Sequence, residues 1–169
     1  MDFALNDNSA RFQIRAAVPD DADAISALIL PLAEKFITFE FSLEGRRALL
    51  ESLTPETLRE RILGRYRYFI VEQSAQPMGV IAIREAVHVF HLFVAEEFQR
   101  HGVGRALWEF VRDDALRSGN PGRFTVNSSR YAMPFYERLG FMAADEMQTV
   151  SEIQSFPMVW EAPARRSAE

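Results

Sequence analysis

The sequence predicts one mixed α/β domain in which helices cover both faces of a central sheet. Strand-like and helix-like segments interleave along the chain without strict alternation, which is typical of a mixed sheet. The run VHVFHLFV, residues 87–94, is almost wholly apolar and indicates a strand at the centre of that sheet. The chain of 169 residues is 48% hydrophobic and contains fourteen phenylalanines, so a single buried core is expected.

The first half of the chain predicts a strand, three helices and a β-hairpin. Asp20 and Asp21 offer N-caps for the first helix, and Pro31 within its apolar pattern is expected to kink it or end it early. Thr54 and Pro55 form the cap and the first residue of the third helix. In order, the segments are a strand at 12–18, a helix that includes 25–32, a helix at 43–53, a helix that includes 55–63, and strands at 66–72 and 78–84 joined by a hairpin at 73–77.

The second half predicts a long amphipathic helix that follows the central strand, then a short helix among three further strands. The long helix begins near Gly102 and ends at Gly119 and Pro121. Its apolar stripe consists of Val103, Ala106, Leu107, Phe110 and Val111. The other segments are strands at 87–94 and 123–127, a helix at 133–139, and strands at 141–147 and 153–160.

The composition excludes several classes of function. The absence of cysteine excludes disulfides, thiolate zinc sites and a cysteine nucleophile. A net charge of −5 argues against a nucleic-acid groove, because neutralising phosphates requires clustered Lys and Arg. No run approaches the roughly 18 apolar residues of a membrane span, and the polar N-terminus MDFALNDNSA does not read as a signal peptide. We therefore expect a cytoplasmic protein that binds neither nucleic acid nor a membrane.

The hexapeptide QRHGVG, residues 99–104, stands where the central strand gives way to the long helix. Gly102 and Gly104 allow the backbone to approach a ligand closely, while Arg100 and Arg105 add positive charge to a stretch that contains no acid. The exposed N–H groups and the dipole at a helix N-terminus favour anions, so this turn is suited to bind a phosphate.

Three phosphate-binding patterns compete for this turn. The P-loop pattern fails because Arg105 and Ala106 replace its Lys and Ser/Thr, and the dinucleotide pattern fails because Leu107 replaces its third glycine. The third pattern, Q/R-x-x-G-x-G/A, fits residues 99–104 at every position. In this the turn resembles the one by which GNAT-family N-acetyltransferases bind the pyrophosphate of acetyl-coenzyme A. A turn that merely joins a strand to a helix is the alternative interpretation.

A second motif resembles the same family. The segment NSSRYAMPFYERLGF, residues 127–141, is similar to the family's closing helix, which carries Ala-x-x-x-Tyr and ends in Leu-Gly-Phe. The matching residues are Ala132, Tyr136, Leu139, Gly140 and Phe141. Two motifs in the right order, with a helix and a strand between them, argue against a chance match. The resemblance spans about residues 67–160.

The resemblance implies the acyl-CoA N-acyltransferase fold, a mixed and mostly antiparallel central sheet of about seven strands with helices on both faces. It implies a single domain at residues 11–161, and we expect flexible segments at 1–10 and 162–169. It also implies a transferase: an acetyl-CoA-dependent N-acetyltransferase with acetyl-CoA as its co-substrate and no metal. The expected acceptor is a primary amine of a small molecule or peptide. Because the chain has no cysteine to carry the acetyl group, we expect direct attack in a ternary complex.

Two other functions stay open at this point. A non-catalytic acyl-CoA-binding or sensor domain would keep the phosphate turn without productive chemistry. A relative that transfers a longer acyl chain would share both motifs. The acceptor is not readable from the sequence, nor is the oligomeric state, for which a homodimer is an open alternative.

Tyr136 and His88 are the candidate catalytic residues. Tyr136 matches the family's proton donor to the leaving sulfur, with packing against the cofactor as its alternative role. His88 stands eleven residues before Gln99, where relatives carry a catalytic glutamate or histidine, and an imidazole suits a base at neutral pH. A histidine satisfied within the sheet is the alternative, and Glu85 acting through water is the reserve candidate. A regular strand places His91 on the face opposite His88 unless a bulge reverses it. The two histidines are therefore not expected to bind a metal ion together.

The candidate cofactor-binding residues come from three places. The family uses a backbone N–H on the central strand to polarise the thioester carbonyl, and this falls near Phe93 or Val94. The full set is Phe93, Val94, Gln99, Arg100, His101, Gly102, Val103, Gly104, Arg105, Asn127 and Ser129. At Ser129 many relatives have asparagine; serine keeps the helix cap, and Asn127 is the substitute contact to the pantetheine arm.

The acceptor pocket is expected around the stretch KFITFEFSLEG, because in the family the first helices and the loop between them shape it. Phe36, Phe39 and Glu40 are the candidate substrate-binding residues. Aromatic walls beside carboxylates would suit a cationic amine that carries an apolar part. The alternative is that the aromatic residues belong to the core and the glutamates to a solvated face.

Overall fold

The computed structural model describes residues 12–164. The expected flexible N-terminus, residues 1–10, lies outside the described residues, as does the expected flexible tail from residue 165 onward. The strands are β1 (Gln13–Ala16), β2 (Tyr66–Gln73), β3 (Gln76–Arg84), β4 (His88–Val94), β5 (Arg123–Ser128), β6 (Met142–Ala143), β7 (Gln148–Val150) and β8 (Ile153–Glu161). The helices are α1 (Ala22–Phe36), α2 (Leu43–Glu51), α3 (Pro55–Leu63), α4 (Val103–Arg117) and α5 (Met133–Arg138).

The strands confirm a mixed, mostly antiparallel sheet. Their order is β1-β2-β3-β4-β5-β8-β6, with β7 paired to β8, and every pair is antiparallel except β4 with β5. The described residues contain eight strands rather than about seven, because the strand expected at 141–147 is divided. Between β6 and β7 the Asp145 carboxylate accepts a hydrogen bond from the Glu146 N–H, which holds the chain in a turn instead of a ladder.

Helices cover both faces of this sheet, as predicted. Helices α1, α2 and α3 lie on one face, where Ile29 of α1 is buried against Val80 of β3. Helices α4 and α5 lie on the other, where Leu107 and Trp108 are fully buried against the sheet. No helix within residues 12–164 is both long enough and apolar enough to span a bilayer.

Three local expectations need correction. Helix α1 does not end early, because it continues past the exposed Pro31 to Phe36; burial of its inner face offsets the hydrogen bond that proline cannot make. Asp21 does not cap α1, since its carboxylate binds the Arg15 guanidinium and the Val18 N–H instead. Phe110 does not belong to the buried stripe of α4, because 38% of its surface is exposed. The Thr54 cap of α3 is confirmed, with the hydroxyl accepting from the Thr57 N–H.

Candidate active site

The two parallel strands at the centre of the sheet are paired only where they begin. His88 pairs with Thr125 and Val89 with Val126, and no further pair follows in the described chain, although β4 continues to Val94. Paired strands satisfy each other's amides and carbonyls, so beyond these two pairs the facing edges of β4 and β5 border open space.

This gap opens into a cavity of about 800 Å³, a volume typical of a small-molecule site. Phe135 and Tyr136 line it on the face of α4 and α5, while Leu32 and Leu49 line it on the face of α1 and α2. The cavity therefore connects the two faces of the sheet through the split between β4 and β5.

The charged lining of the cavity is entirely positive. Four arginines contribute to it, Arg61, Arg100, Arg105 and Arg138, and no carboxylate of the described residues does. Arg105 is 3.8 Å from the Glu109 carboxylate, which lies outside the lining, and the other three form no ion pair within residues 12–164. The net positive charge attracts anions, so the cavity is suited to ligands that carry negative groups.

The glycine turn lies at the N-terminus of α4 and borders the cavity. Gly102 has a φ of 80°, and nothing lies within 4 Å of the position where a Cβ would stand, so a ligand can approach it freely. At position 104 glycine is needed for packing, because a Cβ there would lie 2.9 Å from the Phe135 ring. The first turn of α4 contains no acid, which leaves its free N–H groups and the positive end of its dipole available to an anion.

All predicted cofactor residues except His101 line the cavity. The Gln99 amide donates a 3.0 Å hydrogen bond to the Val94 carbonyl, which ties the turn to the end of β4. His101 is exposed outside the cavity, and its ring Nδ1–H donates to the Gln99 carbonyl at 2.8 Å. A direct contact from His101 is therefore not supported; this side chain braces the turn from outside.

The segment between β5 and α5 contributes two predicted residues to the cavity lining. The Ser129 hydroxyl accepts a 3.2 Å hydrogen bond from the Ala132 N–H, so serine keeps the turn that precedes α5. Asn127 is exposed at the cavity wall. Its side chain is therefore accessible from the cavity.

Tyr136 is only 6% exposed, and its surface faces the cavity. Its ring packs edge-on against Phe135 and Phe141. No hydrogen bond within residues 12–164 involves its hydroxyl, and burial alone raises the pKa of the phenol above its ordinary value. The hydroxyl therefore keeps its proton at neutral pH and can donate it into the cavity.

His88 lies at the start of β4, half-buried in the cavity wall. Its Nδ1 is 2.8 Å from the Thr125 hydroxyl oxygen, which fixes the orientation of the ring. Burial, and secondarily the charge of Arg84, lower the pKa of this imidazole below its ordinary 6.5. His88 is therefore uncharged at neutral pH, as a general base must be.

A β-bulge interrupts β4 just after His88. Val89 pairs with Ile83 while His91 pairs with Ala82, so Phe90 is the extra residue. The bulge reverses the facing expected from a regular strand and brings His91 onto the same face as His88. The facing expected for a regular strand is therefore wrong, and the alternative in which a bulge reverses it is confirmed.

His91 is nevertheless a poor candidate for the base. It is 8% exposed, its Nδ1 is 3.3 Å from the Tyr68 hydroxyl, and burial together with Arg61 lowers its pKa to about 3. Such an imidazole takes up protons too weakly to work at neutral pH.

Residues 12–164 contain no group of three or more ligating side chains that could hold a metal ion.

The backbone amides of β4 alternate between β3 and the gap. The Ala95 N–H donates to the Met78 carbonyl of β3 at 2.8 Å, so the Phe93 amide also points to β3. The Val94 and Leu92 amides point the other way, into the gap. The alternation therefore favours the Val94 amide over the Phe93 amide as the donor to a ligand. It also identifies the Leu92 amide as a second donor. Leu92 could have been predicted from the sequence, because it lies two residues before Val94 on the same strand.

The structure brings one of the three predicted acceptor residues into the cavity lining and leaves the other two outside it. Phe36 lines the cavity and stacks on Tyr131, with ring centroids 4.6 Å apart. Phe39 is 67% exposed, and the Glu40 carboxylate pairs with Arg130 at 2.9 Å; both lie outside the main cavity, beside a small surface depression. The stretch therefore supplies an aromatic wall without the expected carboxylate.

Sequence reasoning missed two parts of the acceptor side. One is Arg61 of α3, for which no local pattern in the sequence gave a signal. The other is the β7–β8 hairpin, whose Val150 and Ile153 close the cavity. Its turn packs on α2 at Gly45, where any Cβ would overlap the Glu152 carbonyl. A glycine inside a helical pattern is the signal that marks such a close approach.

Comparison with known proteins gives one family and one fold. The family model described as an acetyltransferase (GNAT) domain matches residues 37–162, more than half of the chain. A search of curated proteins gives no match.

Among solved structures, a GCN5-related N-acetyltransferase from Rhodopseudomonas palustris is similar, with a TM-score of 0.79 and 21% identity over 90% of this chain and 97% of that one. The PaiA N-acetyltransferase of Thermoplasma acidophilum, in complex with coenzyme A, has a TM-score of 0.75 and 15% identity over 89% and 99%. A nourseothricin acetyltransferase has a TM-score of 0.60 and 19% identity over 90% and 99%. At these identities the likeness shows a common fold.

Proposed function

The chain belongs to the GNAT acetyltransferase family, and we propose that it transfers the acetyl group of acetyl-CoA to a primary amine of a small molecule or peptide in a ternary complex. One observation carries this proposal. A single cavity borders the acid-free N-terminus of α4, the Tyr136 hydroxyl and the His88 ring. An anion site, a proton donor and a neutral base thus share one continuous space.

The residues present fit a coenzyme A thioester. The open approach at Gly102, the free amides of the first turn of α4, and the side chains of Arg100 and Arg105 provide for the pyrophosphate. Asn127 and the edge of β4 provide polar groups for an arm that passes through the split in the sheet. Acetyl-CoA supplies an acetyl group already activated as a thioester.

The open amides of β4 would polarise the thioester carbonyl. The Val94 and Leu92 N–H groups point into the gap, where a carbonyl oxygen can accept a hydrogen bond as negative charge develops on it. A preorganised donor of this kind is worth about 3 kcal/mol in other enzymes. The donors belong to a strand held by β3, so they need no rearrangement to act.

His88 would take the proton of the attacking amine. When Nδ1–H donates to Thr125, the lone pair of Nε2 is left to accept a proton, directly or through water. The lowered pKa of the ring keeps this nitrogen unprotonated at neutral pH. With no cysteine in the chain, the amine itself attacks the thioester.

Tyr136 would donate a proton to the leaving sulfur. Its hydroxyl stays protonated because burial disfavours the phenolate, and it has no protein acceptor within residues 12–164. It can therefore donate to the sulfur as the carbon–sulfur bond breaks. General acid catalysis of this type contributes about 10²- to 10⁴-fold to the rate.

The test compares Tyr136→Phe with wild type in a thiol-release assay over a panel of primary amines, with acetyl-CoA affinity measured by calorimetry. We expect turnover to fall by about 10²-fold or more with the dissociation constant for acetyl-CoA little changed. Tyr131→Phe is the matched control, because Tyr131 also lines the cavity but is half exposed. Acetyl-CoA binding without turnover in the wild type would point instead to a binding or sensor domain.

A further inference from the structure

Arg61 is a fixed cation in the acceptor half of the cavity. Its Nη1 donates a 2.6 Å hydrogen bond to the Ser52 carbonyl, which leaves its other N–H groups available. Its guanidinium lies over the Phe90 ring at 4.8 Å and near the Tyr66 ring at 5.8 Å. These contacts hold the planar guanidinium in place without neutralising its charge.

The surroundings of Arg61 contain no anion to pair with it. Arg61 forms no ion pair with any carboxylate of residues 12–164, whereas its neighbour on α3, Arg59, pairs with Asp23. Tyr68 and His91 stand close by, and both are uncharged at neutral pH because burial opposes their ionisation. A held, unpaired guanidinium that lines a cavity is a site for a carboxylate or similar oxyanion.

The oxyanion that Arg61 would bind is distinct from the phosphates of the cofactor. Arg61 lies over Phe90, four residues before the end of β4, while the glycine turn lies beyond that end. Four residues of extended strand span about 13 Å. The arginines at the turn and Arg61 therefore serve opposite ends of the cavity.

The rest of the acceptor half is neutral and largely apolar. Ser52, Gln154 and Ser155 line it with neutral polar side chains, and no carboxylate of the described residues is present to bind a second cationic group. Its apolar lining consists of Leu32, Phe36, Phe41 and Leu49. A polyamine or other multiply cationic acceptor would meet only Arg61 and neutral side chains there. An apolar side chain on the acceptor would instead bury its surface against these residues.

We propose that the acceptor is an α-amino acid with an apolar side chain, whose carboxylate binds Arg61 and whose amine is thereby directed toward the thioester. This rests on the proposed function and names the class of amine that it uses. Phe90 links the carboxylate site to the proposed base. Its ring supports the Arg61 guanidinium, and it stands two residues after His88 on β4. Arg61 is then a specificity-determining residue that discriminates acids from their amides.

The experiment compares L-leucine, L-methionine and L-phenylalanine with the amide of each as acceptors, in wild type and in Arg61→Gln. Glutamine keeps a side-chain N–H donor at this position but carries no charge. The measured quantity is the ratio of kcat/KM for each acid to that for its amide. Dividing the wild-type ratio by the variant ratio cancels the different basicity of the two amines. Arg59→Gln is the matched control on the same helix, outside the cavity.

We expect Arg61→Gln to lower the acid-to-amide ratio by about 10- to 100-fold, since the attraction between two opposite charges is lost for the acid alone. Arg59→Gln should leave the ratio unchanged. An unchanged ratio in Arg61→Gln, or a wild type that acetylates the amides or diamines but none of the acids, would overturn the proposal.

Inhibition of the wild type tests the same point without any variant. We expect 3-phenylpropanoate to compete with the amine acceptor and 3-phenylpropanamide not to compete; equal inhibition by both would overturn the proposal. Failure of the proposed function would look different, because then no amine would release thiol from acetyl-CoA.

Discussion

Replacement of Gly102 by glutamate should weaken anion binding at the N-terminus of α4 while leaving the fold intact. The position has a φ of 80°, and nothing lies within 4 Å of the position where the new Cβ would stand. It does place a carboxylate at the N-terminus of α4, whose first turn otherwise contains no acid. The change therefore acts on charge more than on packing.

The size of the effect follows from Coulomb's law. Two like charges about 5 Å apart repel by about 1 kcal/mol in water and by about 3 kcal/mol at an effective dielectric constant near 20. Because position 102 is exposed at the cavity mouth, screening by solvent favours the lower part of that range. We expect acetyl-CoA affinity to fall by about 5- to 30-fold, which corresponds to about 1 to 2 kcal/mol, and the loss to shrink as salt is added.

Calorimetric titration with acetyl-CoA measures the effect, and two controls isolate the charge. Gly102→Ala keeps the backbone strain without the carboxylate. Gly119→Glu keeps both the strain and the carboxylate, since Gly119 also has a positive φ of 104° and empty space around it, but it lies beyond the other end of α4. Unchanged affinity in Gly102→Glu, or an equal loss in Gly119→Glu, would refute the position assigned to the pyrophosphate.

Three further changes probe the acceptor side and the histidines. Gly45→Ala should displace the β7–β8 turn from α2 and raise KM for the amine without changing acetyl-CoA affinity; equal losses for both ligands would contradict a role confined to the acceptor side. His88→Gln should lower kcat/KM by about 10²-fold or more and remove the fall in kcat/KM that the wild type shows as pH drops through the lowered pKa of His88; a retained acid limb would exclude His88 as the base. His91 should make unfolding easier in acid, because the unfolded imidazole takes up a proton near pH 6.5 and the folded one only near pH 3. Between pH 6.5 and 5 the free energy of unfolding should fall by about 2 kcal/mol more in wild type than in His91→Gln, measured by urea titration; equal slopes would contradict the burial of a neutral ring.

The glycine turn was predictable because its determinants are local. An acid-free helix start and two glycines at fixed spacing define the N-terminus of α4 in the sequence itself, and the structure has α4 begin at Val103. The same holds for the Thr54 cap of α3 and for the short helix α5. Such features depend on neighbours within a few residues, so the pattern alone determines them.

The rest of the site depends on pairing between distant strands, which periodicity does not reveal. The bulge at Phe90 is set by the register of β4 on β3, and it reversed the facing expected for His91. Likewise, α3 brings Arg61 over the Phe90 ring although the two are far apart in sequence. The loop around Phe39 and Glu40 has the right composition for a substrate wall, yet Glu40 turns outward to pair with Arg130.

Binding of acetyl-CoA is the property on which every later step depends. The most direct measurement is a calorimetric titration of the wild-type protein with acetyl-CoA, repeated with coenzyme A and with NAD. We predict micromolar binding of both coenzyme A forms and none of NAD, because the turn at Gly102 fits the coenzyme A pattern and not the dinucleotide one. Absence of acetyl-CoA binding would mean that this turn only joins a strand to a helix, and the proposed acetyl transfer would be wrong.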